Sequence, residues 1–255
     1  MPTVLINLSG PMQAWGTSSR WEERSTGPRP TLSGVLGMVA NALGMDAGDD
    51  LGDLTQLRFA VRADRPGHLE EDQQTAGGGS FPIDPLTALT VRPEDFLYGV
   101  PRKPVMGPDS TLSAPWTEVE RTTVVITKHY NVDAAFLAGL TGPAEVVERV
   151  HAALQRPART LFLGRRSCPL TAPPAHGLVP LDEHAWPVMT PLLRNATQTN
   201  PMVYTQVAAG TAGATSTPEA PDAPYSARAY RGLHTTRTRV TPPPYQPADE
   251  EEVAA

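Results

Sequence analysis

The sequence has only one cysteine, Cys168, in 255 residues. A single thiol excludes an intrachain disulfide and a zinc site made of several cysteines. The six histidines show no HExxH or HxxxH spacing, and no run approaches the roughly 18 apolar residues of a membrane-spanning helix. The N-terminal MPTVLINLSG also lacks the basic region and the cleavable apolar stretch of a secretory signal. We therefore expect a cytoplasmic protein with no metal, no other cofactor and no membrane partner.

Positive charge is in the minority, because 21 lysines and arginines stand against 27 aspartates and glutamates, a formal net charge of -6. This balance argues against a free-standing nucleic-acid-binding protein. The distribution is uneven, however. Five arginines and no acid lie between Glu148 and Asp182, and four arginines and no acid lie between Asp222 and Asp249. Such segregation allows one face to bind a polyanion, although charge clusters are more often plain solvated surface.

Apolar periodicity predicts an α+β protein. Residues 31–44 have apolar side chains at helical spacing, with Thr31 or Ser33 as the cap and Gly44 at the end. A second helix is predicted over 143–156, because its valines form one apolar stripe after a proline. The predicted strands of this part of the chain are 3–8, 57–64 (half-buried), 122–130, 133–140 and 160–164.

In order, these elements give β-α-β, an insertion and β-α-β, which is the ferredoxin-like, RNA-recognition-type βαββαβ fold. Strand candidates at 202–207 and 234–241, separated by a loop at 208–224, continue the chain. The predicted organisation is a ferredoxin-like domain at 1–175 with an insertion without clear elements at about 66–119, a β-rich C-terminal extension at 176–241 and a disordered tail at 242–255.

The motif GPMQAWG, residues 10–16, follows the first predicted strand. Its glycines, including Gly16, let a backbone approach a ligand closely, while Trp15 can stack on a base and Gln13 can read a base edge. A plain packed turn accounts for the same residues, and the composition of the motif alone favours that interpretation.

Two arginines, Arg24 and Arg29, precede the first predicted helix, and Thr31 and Ser33 stand at its start. Unpaired N–H groups and the positive end of the helix dipole attract phosphate there. Ordinary capping by Thr31 or Ser33 explains the same residues, and the two interpretations are compatible.

The segment LGRRSCPLTAP, residues 163–173, has paired arginines directly after a predicted strand. Arg165 and Arg166 can each bind phosphate through two N–H groups. Beside them, Cys168 is either an activated thiolate nucleophile or a buried, inert thiol. The inert thiol is favoured, because neither a fixed base nor a glycine-rich oxyanion motif accompanies the cysteine.

Lys128, His129 and Tyr130 are the one cluster that resembles acid-base machinery. A ribonuclease that uses no metal needs a base, an acid and a cation. Neighbours in a strand point to opposite faces, so Lys128 and His129 do not readily converge on one phosphate. Phosphate contact and plain sheet surface are therefore favoured over catalysis.

Taken in order, these motifs resemble one known family. The segments GPMQAWG, Arg24 with Thr26, PTLSGVLGMVANALG, DQQTAGGG, KHYNVDAAF and LGRRSCPLTAP are similar to blocks of the CasD family, subunits of the type I-E CRISPR surveillance complex Cascade. The blocks extend from residue 3 to about 173. HTTRTRV also resembles the closing arginine-rich strand of the family.

The resemblance implies a non-catalytic RNA-binding subunit that has a modified RNA-recognition fold with a thumb, expected at 66–119. The implied partners are the repeat-derived 5′ handle of the CRISPR RNA, the CasC backbone subunit that it caps and the large subunit CasA. Target DNA is reached only indirectly, through the complex. By motif position, the implied RNA-binding residues are Gln13, Trp15, Gly16, Arg24, Thr31, Ser33, Gly34, Lys128, His129, Arg165, Arg166 and Ser167.

Two alternatives stay open. The sequence departs from the family pattern at Lys128-His129, where an arginine followed by a variable residue is expected. Because a type I-C relative cleaves repeat RNA without a metal, the first alternative is a metal-independent endoribonuclease that uses Lys128, His129 and Tyr130. The second alternative is a protein-protein adaptor that caps the filament without touching RNA.

Overall fold

The computed structural model describes residues 1–16, 23–76, 80–82, 100–101, 118–120, 124–221 and 230–247. The strands are β1 (Thr3–Gln13), β2 (Glu23–Arg24), β3 (Arg58–Arg65), β4 (His68–Ala76), β5 (Ser80–Pro82), β6 (Val100–Pro101), β7 (Glu118–Glu120), β8 (Val124–Thr141), β9 (Ala175–Val179), β10 (Met202–Gln206), β11 (Thr215–Pro221) and β12 (Tyr230–Arg239). The helices are α1 (Leu32–Ala42), α2 (Ala144–Gln155) and the one-turn α3 (Trp186–Met189), with a 3-10 helix at Gly52–Gln56. The chain forms two units: Met1–Ser19, Ser25–Glu70 and His129–Ala255 make the first, and Arg20–Arg24 with Glu71–Lys128 make the second.

The first unit is organised around one sheet. Its strands lie in the order β11-β12-β10-β3-β8-β1-β9, and each neighbouring pair is antiparallel. The two longest strands, β1 and β8, pair from Thr3↔Thr141 to Gln13↔Asn131. These strands are rich in apolar residues because both faces of the sheet are covered at this point.

Helices α1 and α2 cover one face of the sheet. Thr31 caps α1 by accepting the Gly34 N–H at 3.2 Å, and Gly44, with a φ of +80°, follows the last turn. Both features confirm the predicted helix, and the predicted second helix is confirmed as α2. The two helices share a core with the sheet residues Val4, Ile6, Leu8, Phe59, Val61, Phe136 and Leu140.

The opposite face of the sheet is covered by the segment that follows β9. There, Trp186 and Leu193 pack on sheet residues that include Leu5 and Leu137. Arg62 of β3, predicted on the less buried face of its strand, is fully buried instead. The prediction of a half-buried strand was therefore wrong, because chain that is distant in sequence closes over its second face.

A buried ion pair holds this covering segment. Arg62 Nε and Nη2 donate to the Asp64 carboxylate at 2.6 and 2.9 Å, and both side chains are inaccessible to solvent. The other guanidinium N–H groups donate to the carbonyls of Pro187, Thr190 and Pro191 at 2.7–2.8 Å. All five guanidinium hydrogens therefore have acceptors inside the protein.

The strands β1 and β8 are longer than the sequence predicted. β1 continues past residue 8 to Gln13, so the first part of GPMQAWG lies in the strand rather than in a turn. The candidates 122–130 and 133–140 form the single strand β8. Asp133, the first residue of the second candidate, has a left-handed φ of +59°, and the residues on both sides of it pair with β1.

Other predicted elements change as well. TLFLG, residues 160–164, is not a strand, and β9 pairs with β1 at the sheet edge instead. The predicted boundary at 175 falls at the first residue of β9. The predicted loop 208–224 contains β11, whereas the strands predicted on either side of it are confirmed as β10 and β12.

The second unit contains regular structure in the predicted insertion, 66–119. β5, β7 and β6 form a three-stranded antiparallel sheet. β2 pairs in parallel with the start of β8, which places Arg24 opposite Lys128. Lys128 Nζ donates to the side-chain carbonyl of Gln74 in β4. The expectation of no clear element in this segment was therefore wrong.

Replacing Arg62 with alanine is expected to lower the free energy of unfolding by about 3–5 kcal/mol, because it leaves the Asp64 carboxylate buried without its partner. The matched control is Arg149→Ala, which removes an exposed ion pair with Asp53 and is expected to cost at most about 1 kcal/mol. Urea unfolding followed by circular dichroism measures both variants. Equal losses would contradict a structural role for the Arg62 network.

Candidate nucleic-acid interface

Residues 164–167 form a tight turn, which we call the arginine turn. Two backbone hydrogen bonds close it. The N–H of Leu163 donates to the Cys168 carbonyl at 2.8 Å, and the N–H of Cys168 donates to the Arg165 carbonyl at 2.9 Å. Gly164 has a φ of +84°, and a side chain there would overlap the carbonyl oxygen of Ala14. The turn is therefore fixed against the end of β1 and requires glycine at its first position.

The two arginines of the turn differ in their surroundings. Arg165 Nη1 donates to the His129 carbonyl at 3.1 Å, and its Cζ lies 4.7 Å from the centroid of the Tyr130 ring. Tyr130 is only 6% exposed, so Arg165 covers a buried aromatic side chain. Arg166 and Ser167 are exposed, and Arg166 forms no ion pair with the residues that the structure describes.

Gln13 and Trp15 do not face solvent. The Gln13 amide donates to the carbonyls of Leu8 and Ala134 at 2.8 and 2.9 Å, and its oxygen accepts the Trp15 indole N–H at 2.9 Å. Their exposures are 0% and 1%. The prediction that these side chains contact bases is thus corrected, because their polar groups are satisfied inside the protein and the indole faces are covered. Gly16 is exposed, with open space where a side chain would project.

The start of α1 packs on this buried pair. A Cβ at Gly34 would lie 2.8 Å from Trp15 Cε3, so the helix approaches the indole closely only because residue 34 is glycine. Thr31 and Ser33 stand at the same end, with their hydroxyl oxygens 3.4 Å apart. Ser33, Gly34 and Gly164 line one groove of about 390 Å³, which brings the helix start and the arginine turn together.

A carboxylate, not an open anion site, meets the first N–H of α1. Glu219 accepts the Leu32 N–H at 3.3 Å and two bonds from Arg29, at 2.8 and 3.1 Å. Arg29 is 7% exposed and Glu219 is 3% exposed. The prediction that Arg29 attracts phosphate to this helix is therefore wrong, since Glu219 of β11 already neutralises it. No local pattern reveals this partner, which lies 190 positions away.

The twelve residues implied by the family resemblance thus divide between the two units. Arg24 and Lys128 are cross-strand neighbours in the second unit. The other ten belong to the first unit, where the arginine turn is joined to the backbone of His129. The sequence analysis named Tyr130 but not its position beneath Arg165. It did not single out Gly164, although a glycine directly before two arginines was an available signal.

The thiol considered as a nucleophile is not accessible in this structure. The thiol of Cys168 is fully buried, and burial raises its pKa, so it stays protonated and unreactive at neutral pH. Within the described ranges, no three His, Cys, Asp or Glu residues cluster as a metal site requires, and no helix is long and apolar enough to cross a membrane.

Gly164→Ala is expected to destabilise the protein by about 1–3 kcal/mol, because alanine requires a strained positive φ and collides with the Ala14 carbonyl. Gly16→Ala, in the same region but with open space around it, is the control and is expected to change stability by less than about 0.5 kcal/mol. Thermal unfolding of the two variants tests this contrast. A Gly164→Ala protein as stable as the control would show that the turn is not fixed in this way.

The Cys168 thiol is expected to react slowly with a disulfide reagent in the native protein and rapidly after unfolding in urea. Because its pKa is raised, increasing the pH to about 8.5, the ordinary cysteine pKa, should accelerate the native reaction far less than it accelerates the unfolded one. Absorbance of the released thiolate measures both rates. A rapid native reaction at neutral pH would restore the nucleophile interpretation.

Comparison with known proteins identifies the family. Residues 3–189 match the family model described as CRISPR-associated protein (Cas_Cas5). The chain is 33% identical to the CRISPR system Cascade subunit CasD of Escherichia coli (strain K12) over 177 residues, which are 67% of this chain and 68% of that protein.

Two solved structures are similar over nearly the whole chain. One is described as a Cas protein, with a TM-score of 0.66, 28% identity and coverage of 96% of this chain and 100% of that chain. The other is from a CRISPR RNA-guided surveillance complex, with a TM-score of 0.67, 26% identity and coverage of 98% and 96%. The chain therefore belongs to the Cas5 family of CRISPR-associated proteins, which confirms the predicted kinship with CasD.

Proposed function

We propose that this chain is a non-catalytic RNA-binding subunit of a type I-E Cascade complex, where it holds the repeat-derived 5′ handle of the CRISPR RNA. In the same proposal it caps the CasC backbone, contacts CasA and acts in the cytoplasm. Family membership supports this, since one relative is named as the Cascade subunit CasD and one similar structure is of a CRISPR RNA-guided surveillance complex. The observation that carries the proposal is the arginine turn.

The proposed roles of Arg165 and Arg166 follow from their different surroundings. Arg165 is oriented by the His129 carbonyl and the Tyr130 ring, so it fixes the direction of the turn. Arg166 extends from that rigid base into solvent, where a guanidinium can donate two N–H groups to one phosphate. The exposed hydroxyl of Ser167 adds a further donor. Together they make a preorganised site for an RNA backbone.

We also propose that β1, α1, β3, β8, α2 and β9 form a ferredoxin-like core, with 66–119 as the thumb and 176–241 as an extension of the sheet. Helix α1 connects β1 with β3, helix α2 connects β8 with β9, and the strands lie in the antiparallel order β3-β8-β1-β9. RNA-recognition modules stack bases on an open sheet face. Here Trp186 and Leu193 cover that face, so we expect RNA at the strand ends.

In this function Lys128, His129 and Tyr130 bind RNA or support the site and break no bond. Tyr130 is nearly buried beneath Arg165, which restricts the access of its hydroxyl to RNA. An acid and a base must both reach the scissile phosphate, whereas neighbouring residues of β8 point to opposite faces of the strand. These features favour binding over cleavage.

Arg165→Ala combined with Arg166→Ala is expected to weaken binding of labelled type I-E repeat RNA and to flatten its salt dependence. Each phosphate contact contributes about 0.7 to the slope of log K against log salt concentration for a single strand, so the slope should fall by about 0.7 to 1.4. Fluorescence anisotropy at several salt concentrations, in EDTA, measures this slope. A denaturing gel of the same samples reports cleavage.

Arg149→Ala, an exposed arginine of α2, is the matched control and should leave the slope unchanged. An unchanged slope in the double variant would remove the arginine turn from the RNA site. Cleavage that His129→Ala abolishes would establish the endoribonuclease alternative instead. Absence of any RNA crosslink to this chain in the reconstituted complex would favour the adaptor.

A further inference from the structure

A cavity of about 360 Å³ lies in the first unit between the loop that precedes α1 and the strands β10, β11 and β12. No residue of the arginine turn lines it, and most of its wall comes from chain beyond residue 189, where the family match ends. We propose that this cavity, whose wall also includes Thr31 at the start of α1, binds a phosphorylated nucleoside at a site separate from the arginine turn. The side chains that carry the argument are Arg29, Tyr204, Thr215, Thr235 and Arg237.

The charges around the cavity leave one cation uncompensated. Arg29 is neutralised by Glu219, with both side chains buried and two N–H···O bonds between them. Arg237 is exposed, and no acidic side chain in the described part of the chain pairs with it. An anionic ligand is therefore favoured over a neutral or cationic one, and the planar guanidinium of Arg237 suits a phosphate.

Strand register places an aromatic ring beside this cation. Tyr204 of β10 is directly opposite Arg237 of β12, so the two side chains are neighbours on one face of the sheet. Tyr204 is only partly buried. The Arg29 guanidinium lies over its ring, 5.0 Å from the centroid, so a nucleobase would contact the part of the ring that Arg29 leaves exposed, beside Arg237. An aromatic ring beside a guanidinium offers the kind of surface on which a nucleobase stacks.

The hydroxyl groups that line the cavity and the volume of the cavity favour the same class of ligand. Thr215 and Thr235 are cross-strand partners on β11 and β12, and both line the cavity. The exposed Thr215 hydroxyl donates to the Thr235 carbonyl at 3.4 Å, a long bond that a phosphate or ribose oxygen can replace, whereas Thr235 is only 3% exposed and forms part of the wall. The volume falls within the roughly 300–1,000 Å³ of small-molecule sites and exceeds what inorganic phosphate fills. An anion, a planar ring and several oxygens are combined in a nucleotide, either as a free nucleoside monophosphate or as the end of an RNA strand.

The test is calorimetric titration of the purified full chain with adenosine monophosphate, adenosine and inorganic phosphate in separate runs. We expect saturable binding of adenosine monophosphate, weaker binding of the two fragments, and about a tenfold loss of affinity in Arg237→Ala. Arg239→Ala is the matched control, because this exposed arginine of the same strand donates to the Asn200 carbonyl at 2.8 Å and does not line the cavity. It should bind as the parent protein does.

A short 5′-phosphorylated RNA distinguishes the two sources of the ligand. Arg237-dependent RNA binding that is tighter than binding of the mononucleotide assigns the end of an RNA strand, and the reverse order assigns a free nucleotide. Binding that Arg237→Ala leaves unchanged overturns the proposal. So does adenosine or inorganic phosphate binding as tightly as adenosine monophosphate, or no saturable binding of either nucleotide probe.

The same titration keeps this site apart from the RNA interface. The variant with Arg165→Ala and Arg166→Ala, which is expected to lose handle binding, should bind adenosine monophosphate with unchanged affinity. Loss of nucleotide binding in that variant would place the ligand at the arginine turn and overturn the separate site. If the cavity binds no nucleotide, the salt-slope result for the arginine turn is unaffected.

Discussion

The architecture of the first unit depends on the hydrogen bonds that the Arg62 guanidinium donates. Its five N–H groups are all accepted within the protein, by Asp64 and by three carbonyls in and directly after α3. Asp64 also accepts the Leu193 backbone N–H at 2.8 Å, so the pair ties β3 to the segment that covers the sheet. Because that segment closes a face which RNA-recognition modules leave open, the proposed RNA contacts are expected at the strand ends instead.

Four arginines of this chain show two contrasting situations that its net charge does not distinguish. Arg29 and Arg62 each pair with a buried carboxylate, so they stabilise the interior and contribute little field outside it. Arg166 and Arg237 are exposed and have no acidic partner among the described residues. A chain with a net charge of -6 can therefore present separate local cationic sites, since local clusters rather than the sum decide what a polyanion meets.

Sequence periodicity identified the elements that bury one face and failed where the deciding partner lies far along the chain. The helices α1 and α2 carry a complete helical stripe, and the Thr31 cap is local, so both were predicted within a residue or two. TLFLG is more strand-like than AHGLV, yet AHGLV becomes β9 because it pairs with β1. Neither the burial of Arg62 nor the pairing of Arg29 with Glu219 leaves a local pattern, because both follow from tertiary contacts.

The motif GPMQAWG illustrates how residues can support a proposed binding site without touching its ligand. Gln13 and Trp15 bond to each other inside the protein and fix the backbone between them. Ala14 lies in that backbone. Its carbonyl oxygen leaves no room for a side chain at Gly164, and its N–H donates to the Leu163 carbonyl at 3.0 Å. Sequence reasoning assigned binding to the most recognisable side chains, whereas the contacts make them supports for the exposed Arg166. A donor on a rigid turn loses less conformational entropy on binding, so these buried residues would strengthen the proposed phosphate contact of Arg166 without making one themselves.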